Sequence, residues 1–205
     1  MVILNKTSIK FGKKVVINKV SNTFEPYKIN FIYGDEGSGK TSLLRAISGL
    51  ERYRGSIKVK GKLFYLFDEM PFYEYLSGYE NLKHFINHKN LIDFYEVNNA
   101  LLLSKSKLNQ QVSSYSIVER KLLGIMLMMV YNSNVLLLDD VFNGLNLEQR
   151  FVFIDCLTKL KGKATIIITG HDQHYLEIAD VYYHLKDGSL KSQSHEQVKE
   201  YFSIM

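Results

Sequence analysis

The sequence predicts an α/β fold in which a parallel sheet carries an inserted helical subdomain. Short apolar stretches typical of buried strands alternate with helical patterns along the chain. Residues 71–131 differ, because they show helical periodicity throughout and contain no convincing strand. An apolar strand at 29–33 leads into a glycine-rich loop and then a helix-like run, a unit found in parallel-sheet proteins that bind nucleotides.

The predicted elements follow from these patterns. Strands are expected at residues 2–9, 29–33, 57–59, 63–67, 135–138, 164–169 and 181–185. Helical patterns cover residues 79–89, 91–104, 116–131 and 194–203. We expect a single domain over residues 1–205, with its core at 1–67 and 132–205 and the helical subdomain at about 68–131.

Composition excludes several classes of protein. The chain has 205 residues, 46% of them apolar, and only two prolines, which suits a full buried core. Its longest apolar run, 122–130, is too short to cross a bilayer, and the start of the chain lacks the pattern of a secretion signal. The single cysteine, Cys156, has apolar neighbours that favour a buried thiol. A net charge of +5 without a run of Lys or Arg favours a solvated surface over a nucleic-acid interface.

The glycine-rich loop matches the phosphate-loop pattern G-x-x-x-x-G-K-[ST] in full. Its glycines let backbone N–H groups approach phosphates, and the following helix adds its positive end. Lys40 is expected to reach the β- and γ-phosphates, and Thr41 to offer its hydroxyl to Mg²⁺. The chain is therefore predicted to bind a nucleoside triphosphate through Gly34, Asp35, Glu36, Gly37, Ser38, Gly39, Lys40, Thr41 and Ser42.

A second motif predicts hydrolysis of that nucleotide. Residues 135–138 are apolar and are followed by two acids, Asp139 and Asp140. Such a strand delivers carboxylates to the edge of the sheet beside a phosphate loop. Asp139 is expected to hold Mg²⁺, directly or through water, and Asp140 to polarise the attacking water.

The order of the motifs resembles that of the ATP-binding subunits of ATP-binding-cassette (ABC) transporters over nearly the whole chain. Phe11 falls at the aromatic position that stacks on adenine in this family. Residues 67–73 fall at the Q-loop, which joins the core to the helical subdomain. Later matches are the signature at 115–121, the D-loop at 143–146 and the switch histidine, His171. The resemblance implies ATP as the nucleotide, antiparallel strands near the N-terminus and contact between His171 and the γ-phosphate.

Several positions depart from the family pattern. Asp68 replaces the Q-loop glutamine, with Glu69 as the alternative, and the resemblance assigns the acid to Mg²⁺. The signature keeps Ser116 but has Ile117 and Val118 in place of two glycines. Branched side chains there would obstruct the approach of backbone N–H groups to the γ-phosphate.

The catalytic and D-loop acids are also altered. The expected catalytic glutamate is Asp140, which is shorter by one methylene. Its carboxylate would lie roughly 1.5 Å further back, a displacement that can cost about a hundredfold in rate. Asn146 replaces the D-loop acid. We therefore expect a slow Mg²⁺-dependent ATPase.

The resemblance implies an assembly. In the family, two subunits sandwich two ATP molecules, and closure drives a membrane permease. The signature residues of one subunit act on the nucleotide held by the other; here they are Tyr115, Ser116, Ile117, Val118 and Glu119. Either a homodimer or a heterodimer with a second ATP-binding subunit is open. The permease is expected to be a separate polypeptide.

Residues 67–79 would line the groove that receives the permease. The aromatic residues Phe72, Tyr73 and Tyr75 either contact that partner or belong to the core of the subdomain. Residues 73–78 and 114–116 look most like small exporter subunits that move drugs, antimicrobial peptides or lipids, which implies the cytoplasmic face of a bacterial membrane.

Two alternatives remain. The chain could be an ATP-dependent dimerisation switch with little or no hydrolysis.

The second alternative concerns a metal site. His84 and His88 share a helical face at metal-ligand spacing, but because no third ligand lies nearby, surface packing is favoured over a zinc site.

Overall fold

A computed structural model describes residues 1–12, 14–68, 70–85 and 103–204. The chain forms two compact units. The first comprises Met1–Tyr65, Ser133–Asp140 and Leu160–Met205, and the second comprises Leu66–Asn132 and Val141–Lys159. The described part of the predicted helical subdomain lies in the second unit, which also includes residues 141–159, a segment that the sequence-based division assigned to the core.

The strands and helices alternate as the sequence predicts. The strands are β1 (Val2–Phe11), β2 (Lys14–Phe24), β3 (Ile29–Tyr33), β4 (Arg54–Val59), β5 (Leu63–Leu66), β6 (Val135–Asp139), β7 (Thr165–Thr169), β8 (Val181–Lys186) and β9 (Ser189–Gln193). The helices are α1 (Lys40–Ile47), α2 (Gly78–Phe85), α3 (Lys105–Leu108), α4 (Ile117–Val130), α5 (Leu147–Leu160), α6 (Tyr175–Ile178) and α7 (His195–Ile204), with a short 3₁₀ turn at Val112–Ser114.

The first unit contains two sheets. The larger has the strand order β5-β6-β7-β3-β8-β9, in which β6, β7, β3 and β8 run parallel and β9 pairs antiparallel with β8. Strands β3, β6 and β7 are buried at every position, which explains their continuous apolar sequences. The predicted α/β fold with a parallel sheet is confirmed.

The smaller sheet has the order β2-β1-β4, and both pairings are antiparallel. It confirms the antiparallel strands that the family resemblance implied near the N-terminus. Strands β2 and β9 were not predicted from the sequence. Both lie at a sheet edge and have many exposed polar positions, so neither shows an apolar run.

The second unit is helical. The apolar helix α4 is its most buried element, and Ser116 begins it as the N-cap residue. The predicted helices at 79–89 and 91–104 overlap residues 86–102, which lie outside the described residues. Among the described helices, none combines the length and apolar character required to span a membrane.

We predict that Asn30 is essential to the stability of the first unit. Its buried side chain accepts a hydrogen bond from Glu25 N and donates to the carbonyl oxygens of Glu25, Lys28 and Ile166. Asn30→Ala would leave these backbone groups unsatisfied and lower the free energy of unfolding by about 3 kcal/mol. Urea denaturation followed by circular dichroism measures the change.

The matched control is Asn5→Ala, because Asn5 is exposed on β1. It is expected to change the free energy of unfolding by less than about 0.5 kcal/mol. Equal losses in the two variants would contradict the assignment of the stabilising network to Asn30.

Candidate functional site

The phosphate loop lies between the end of β3 and the start of α1. Close packing against neighbouring strands requires glycine at two positions of the loop. A Cβ at Gly34 would overlap the carbonyl oxygen of Leu185 on β8, and a Cβ at Gly39 would overlap Val16 Cγ1. Gly39 also has a φ of 106°, in the region that favours glycine. The loop is therefore fitted closely against the strands around it.

Lys40 is enclosed by the loop that precedes it. Its side-chain ammonium donates hydrogen bonds to Gly34 O at 2.8 Å and to Asp35 O at 3.1 Å. Burial lowers the pKa of Lys40, and the nearby carboxylates of Asp140 and Asp139 oppose that shift. The cation therefore lies between backbone carbonyl oxygens and acidic side chains, where phosphate oxygens can replace the carbonyl partners.

Asp139 accepts hydrogen bonds from three hydroxyl groups. Thr41 Oγ1 donates to Asp139 Oδ1 at 3.1 Å, and Thr169 Oγ1 donates to the same oxygen at 2.6 Å. Tyr65 OH donates to Asp139 Oδ2 at 3.1 Å. Burial and then the Asp139 carboxylate raise the pKa of Tyr65 well above its usual value, so the phenol remains a donor. These bonds fix the orientation of the carboxylate.

Tyr65 and Thr169 were not predicted as site residues from the sequence. Thr169 ends β7 directly opposite Asp139 in the parallel pairing of β6 with β7. The sequence does contain the two strand ends, but the register that aligns them comes only from the folded sheet. Tyr65 comes from β5, the neighbour of β6, and no motif marks it.

A cavity of about 400 Å³ joins most of the predicted nucleotide-binding residues. Its lining also includes Lys14, Val16 and Thr169, which were not predicted as site residues. The predicted residues that line it are Phe11, Glu36, Gly37, Gly39, Lys40, Thr41, Ser42, Asp139, Asp140 and His171.

The remaining loop residues, Gly34, Asp35 and Ser38, shape the loop through their backbone. Asp35 O accepts hydrogen bonds from Lys40 Nζ and from Ser38 N, the latter at 3.1 Å. The buried hydroxyl of Ser38 has no hydrogen-bond partner among the described residues.

Asp140 and Phe11 differ in how firmly the fold positions them. Asp140 has a φ of 45°, and its N–H donates to Thr169 O at 3.1 Å, so its backbone is fixed at the end of β6. The ring of Phe11 is 48% exposed and forms one wall of the cavity. An exposed ring at that place is available for stacking on a base.

Asp68 belongs to the second unit. Its carboxylate pairs with Lys121 Nζ at 2.7 Å, and the same ammonium donates to Asn143 O at 2.6 Å. Lys121 is only 3% exposed, so Asp68 neutralises a buried cation. The Mg²⁺-binding role of Asp68 stays a prediction, and the alternative residue, Glu69, lies outside the described residues.

The signature residues form the start of α4. Ser116 Oγ accepts from Glu119 N, and Glu119 Oε2 accepts from Ser116 N at 2.7 Å, which makes a reciprocal cap. Lys107 Nζ lies 3.1 Å from Glu119 Oε1. Ile117 is 72% exposed, whereas the ring of Tyr115 is buried and its hydroxyl donates to Lys107 O. A carboxylate of the same chain therefore binds an N–H group at the start of this helix.

The aromatic residues after the Q-loop divide into two groups. Phe72 is buried in the second unit, whereas Tyr73 and Tyr75 are 52% and 84% exposed. The ring of His84 lies edge-on to Tyr73 with centroids 5.1 Å apart. His88 lies outside the described residues, and within the described part of the chain no three His, Cys, Asp or Glu side chains are grouped to hold a metal.

Comparison with known proteins identifies the family. The family model for ABC transporters matches residues 17–143, and the chain belongs to this family as an ATP-binding domain. The ABC transporter ATP-binding protein YdbJ of Bacillus subtilis is 30% identical over 203 residues, which cover 90% of this chain and 66% of YdbJ. The chain thus spans slightly less than two thirds of that relative.

Two of the relatives have named cargoes. The lantibiotic transport protein SrtF of Streptococcus pyogenes is 26% identical, over 78% of this chain and 76% of SrtF. The ribose import protein RbsA of Corynebacterium glutamicum is 28% identical, over 90% of this chain and 40% of RbsA. A dimeric structure of the cassette MJ0796 bound to ADP and Pi superposes with a TM-score of 0.82 at 18% identity, covering 95% of this chain and 99% of that one.

We predict that the hydroxyl groups that donate hydrogen bonds to Asp139 stabilise the first unit cooperatively. Thr169→Val and Tyr65→Phe each remove one donor to a buried carboxylate, so each should lower the free energy of unfolding by about 2 kcal/mol. The double variant should lose an amount different from the sum, because the two bonds go to the two oxygen atoms of one carboxylate group. Urea denaturation of the two single variants and the double variant measures the coupling; additive losses would contradict a shared role.

Proposed function

We propose that this chain is a Mg²⁺-dependent ATPase subunit that powers a separate membrane permease. The observation that carries the proposal is the convergence of Lys40, Thr41, Asp139, Asp140 and His171 on one cavity. These residues supply a cation for phosphate, oxygen ligands for a metal, an acid beside the expected water and a further phosphate contact. Membership of the ABC transporter family supports ATP as the nucleotide.

The phosphate loop would bind the triphosphate. Its backbone N–H groups and the start of α1 would bind phosphate oxygens, together with Ser42. Lys40 Nζ would exchange the carbonyl oxygens of Gly34 and Asp35 for the β- and γ-phosphates. The adenine ring would stack on the exposed face of Phe11.

The donor atoms in the cavity fit Mg²⁺. Thr41 Oγ1 and Asp139 Oδ1 are oxygen atoms 3.1 Å apart, and Mg²⁺ is commonly held by one or two protein oxygens together with substrate phosphates. When bound there, Mg²⁺ would neutralise charge on the phosphate oxygens. Asp68 would be a further oxygen ligand of Mg²⁺, as the family resemblance implies.

Asp140 would polarise the attacking water, and His171 would contact the γ-phosphate. Because the backbone of Asp140 is fixed, it cannot shift to bring the short side chain closer to the attacking water. This supports slow turnover. Phosphoryl transfer depends mainly on positioning and charge stabilisation, so an acid set back from its water lowers the rate without preventing ATP binding.

A dimer would complete the site. The signature residues 115–119 of one subunit would act on ATP held by the other. The MJ0796 cassette, which has the same fold, is dimeric, and this supports a dimer. In this chain the exposed Ile117 and the Glu119 cap occupy the start of α4, so two copies would form a weak site. A heterodimer with a second ATP-binding subunit that follows the family pattern would leave one defect in each site instead of two.

The permease would be an exporter of a drug, peptide or lipid on a bacterial membrane, with this chain on the cytoplasmic face. The similarity to the lantibiotic transport protein SrtF supports a cargo of that kind, and the similarity to the ribose import protein RbsA is the competing indication. The exposed rings of Tyr73 and Tyr75 supply an apolar surface suited to a protein partner.

A second function is an ATP-dependent dimerisation switch with little or no hydrolysis. The observation that favours it is the combination of Asp140 with the obstructed start of α4. Dimerisation on ATP without phosphate release would support the switch, whereas co-purification with an integral membrane protein would support the transport subunit.

We predict that phosphate release requires Mg²⁺ and Lys40. The rate per molecule is measured against protein concentration, with Lys40→Ala as the blank for contaminating ATPases. A rate that rises with concentration and vanishes in Lys40→Ala would mean that two copies form a working site. A flat rate at the level of the blank, with ATP still bound, would exclude self-sufficient turnover and favour a partner subunit or the switch.

We also predict that Asp140→Glu accelerates hydrolysis by on the order of tenfold, and by about a hundredfold at most. The longer side chain moves the carboxylate toward the water, while the positive φ at this position limits the gain because Asp tolerates it better than Glu. Single-turnover hydrolysis under saturating ATP measures the effect, with Asp140→Asn as the control that removes the charge. A rate in Asp140→Glu equal to that of the wild type would contradict the assignment of slow turnover to Asp140.

A further inference from the structure

We infer that Tyr201, on helix α7, is a positioning residue that holds the phosphate loop in its binding conformation. The inference rests on the proposed binding of ATP at this loop. No sequence motif marks Tyr201, which lies 166 residues from its hydrogen-bond partner in the loop.

The hydroxyl group of Tyr201 contacts the loop directly. It donates a hydrogen bond of 2.8 Å to Asp35 Oδ1. The backbone oxygen of the same residue, Asp35, accepts from Lys40 Nζ and from Ser38 N. Tyr201 therefore fixes the residue whose carbonyl group positions the lysine and closes the turn.

The ring of Tyr201 contacts the other side of Gly34. Its centroid lies 4.8 Å from the ring of Tyr33, the last residue of β3, and 5.3 Å from the ring of His184 on β8. Tyr33 and His184 stack on each other with centroids 4.7 Å apart. One side chain thus contacts the residues immediately before and after the first glycine of the loop.

Helix α7, which carries Tyr201, packs firmly against the strand that leads into the loop. Val198 is fully buried, and the ring of Phe202 lies 6.2 Å from Phe31 and 5.9 Å from Tyr33, measured between centroids. Both partners belong to the buried strand β3. The helix and the strand that carries the loop therefore form one packed group.

The contact also supplies a partner for the carboxylate group of Asp35. Asp35 places a carboxylate in a segment proposed to bind a triphosphate, where like charges repel. Burial and then the Asp35 carboxylate raise the pKa of Tyr201 to about 12, so the phenol stays protonated and continues to donate. The hydrogen bond therefore gives the carboxylate group of Asp35 a fixed partner on α7.

The test is the dissociation constant for ATP of Tyr201→Phe, measured by calorimetry well below the thermal midpoint. This change removes the hydroxyl group and keeps the ring. We expect binding to weaken about tenfold, the equivalent of about 1.4 kcal/mol, since the lost bond is to a charged group. A purely structural role for Tyr201 would lower the thermal midpoint and leave the dissociation constant unchanged.

The matched control is Tyr182→Phe. The hydroxyl of Tyr182 donates to Leu176 O and Ala179 O, and its ring stacks on His195 of α7. The variant loses a hydroxyl near the same helix without touching the loop, so its affinity for ATP should match that of the wild type. Equal weakening in both variants would overturn the inference.

A double-mutant cycle with Asp35→Ala tests the path of the effect. If Tyr201 acts through Asp35, Tyr201→Phe should weaken binding no further in the Asp35→Ala background. Additive effects would overturn the inference, as would unchanged affinity in Tyr201→Phe. ATP binding by the wild-type protein, and its loss in Lys40→Ala, is the control for the proposed function. If the proposed function fails, neither the wild-type protein nor any variant binds ATP.

Discussion

The hydrogen bonding of one buried carboxylate, Asp139, organises the first unit. Its three hydroxyl donors come from three different elements, namely Tyr65 on β5, Thr169 on β7 and Thr41 on α1. A buried charge without partners would be expensive, and this requirement for partners favours the register in which all three elements meet the carboxylate. The same requirement brings the start of α1, and with it the phosphate loop, to the end of the sheet.

The sequence predicts the parts of this arrangement that are local. The loop around Lys40 and the two acids after β6 are contiguous motifs, and the buried strands are continuous apolar runs. Tyr65, Thr169 and Tyr201 could not be found in this way, because each acts across a pairing between segments far apart in the chain. Edge strands β2 and β9 were not predicted for a different reason. Their exposed positions carry polar residues, so neither strand has a continuous apolar run.

The positions in the second unit that depart from the family pattern have structural partners of their own. Asp68 balances the buried Lys121, whose ammonium also bonds to the D-loop residue Asn143. Asn146 exchanges hydrogen bonds with Gln149 and so caps the start of α5. Because Asp68 and Asn146 each have local partners, restoring the family residue at either position would remove a contact as well as supply a chemical group.

The distribution of the altered residues bears on assembly. Asp140 belongs to the first unit, whereas the signature residues belong to the second. In the proposed dimer, each ATP would meet the acid of one subunit and the signature of the other. Two copies of this chain would therefore combine both defects in each site. With a partner that follows the family pattern, each site would contain one defect, and every composite site would retain either a full-length acid or an open signature loop.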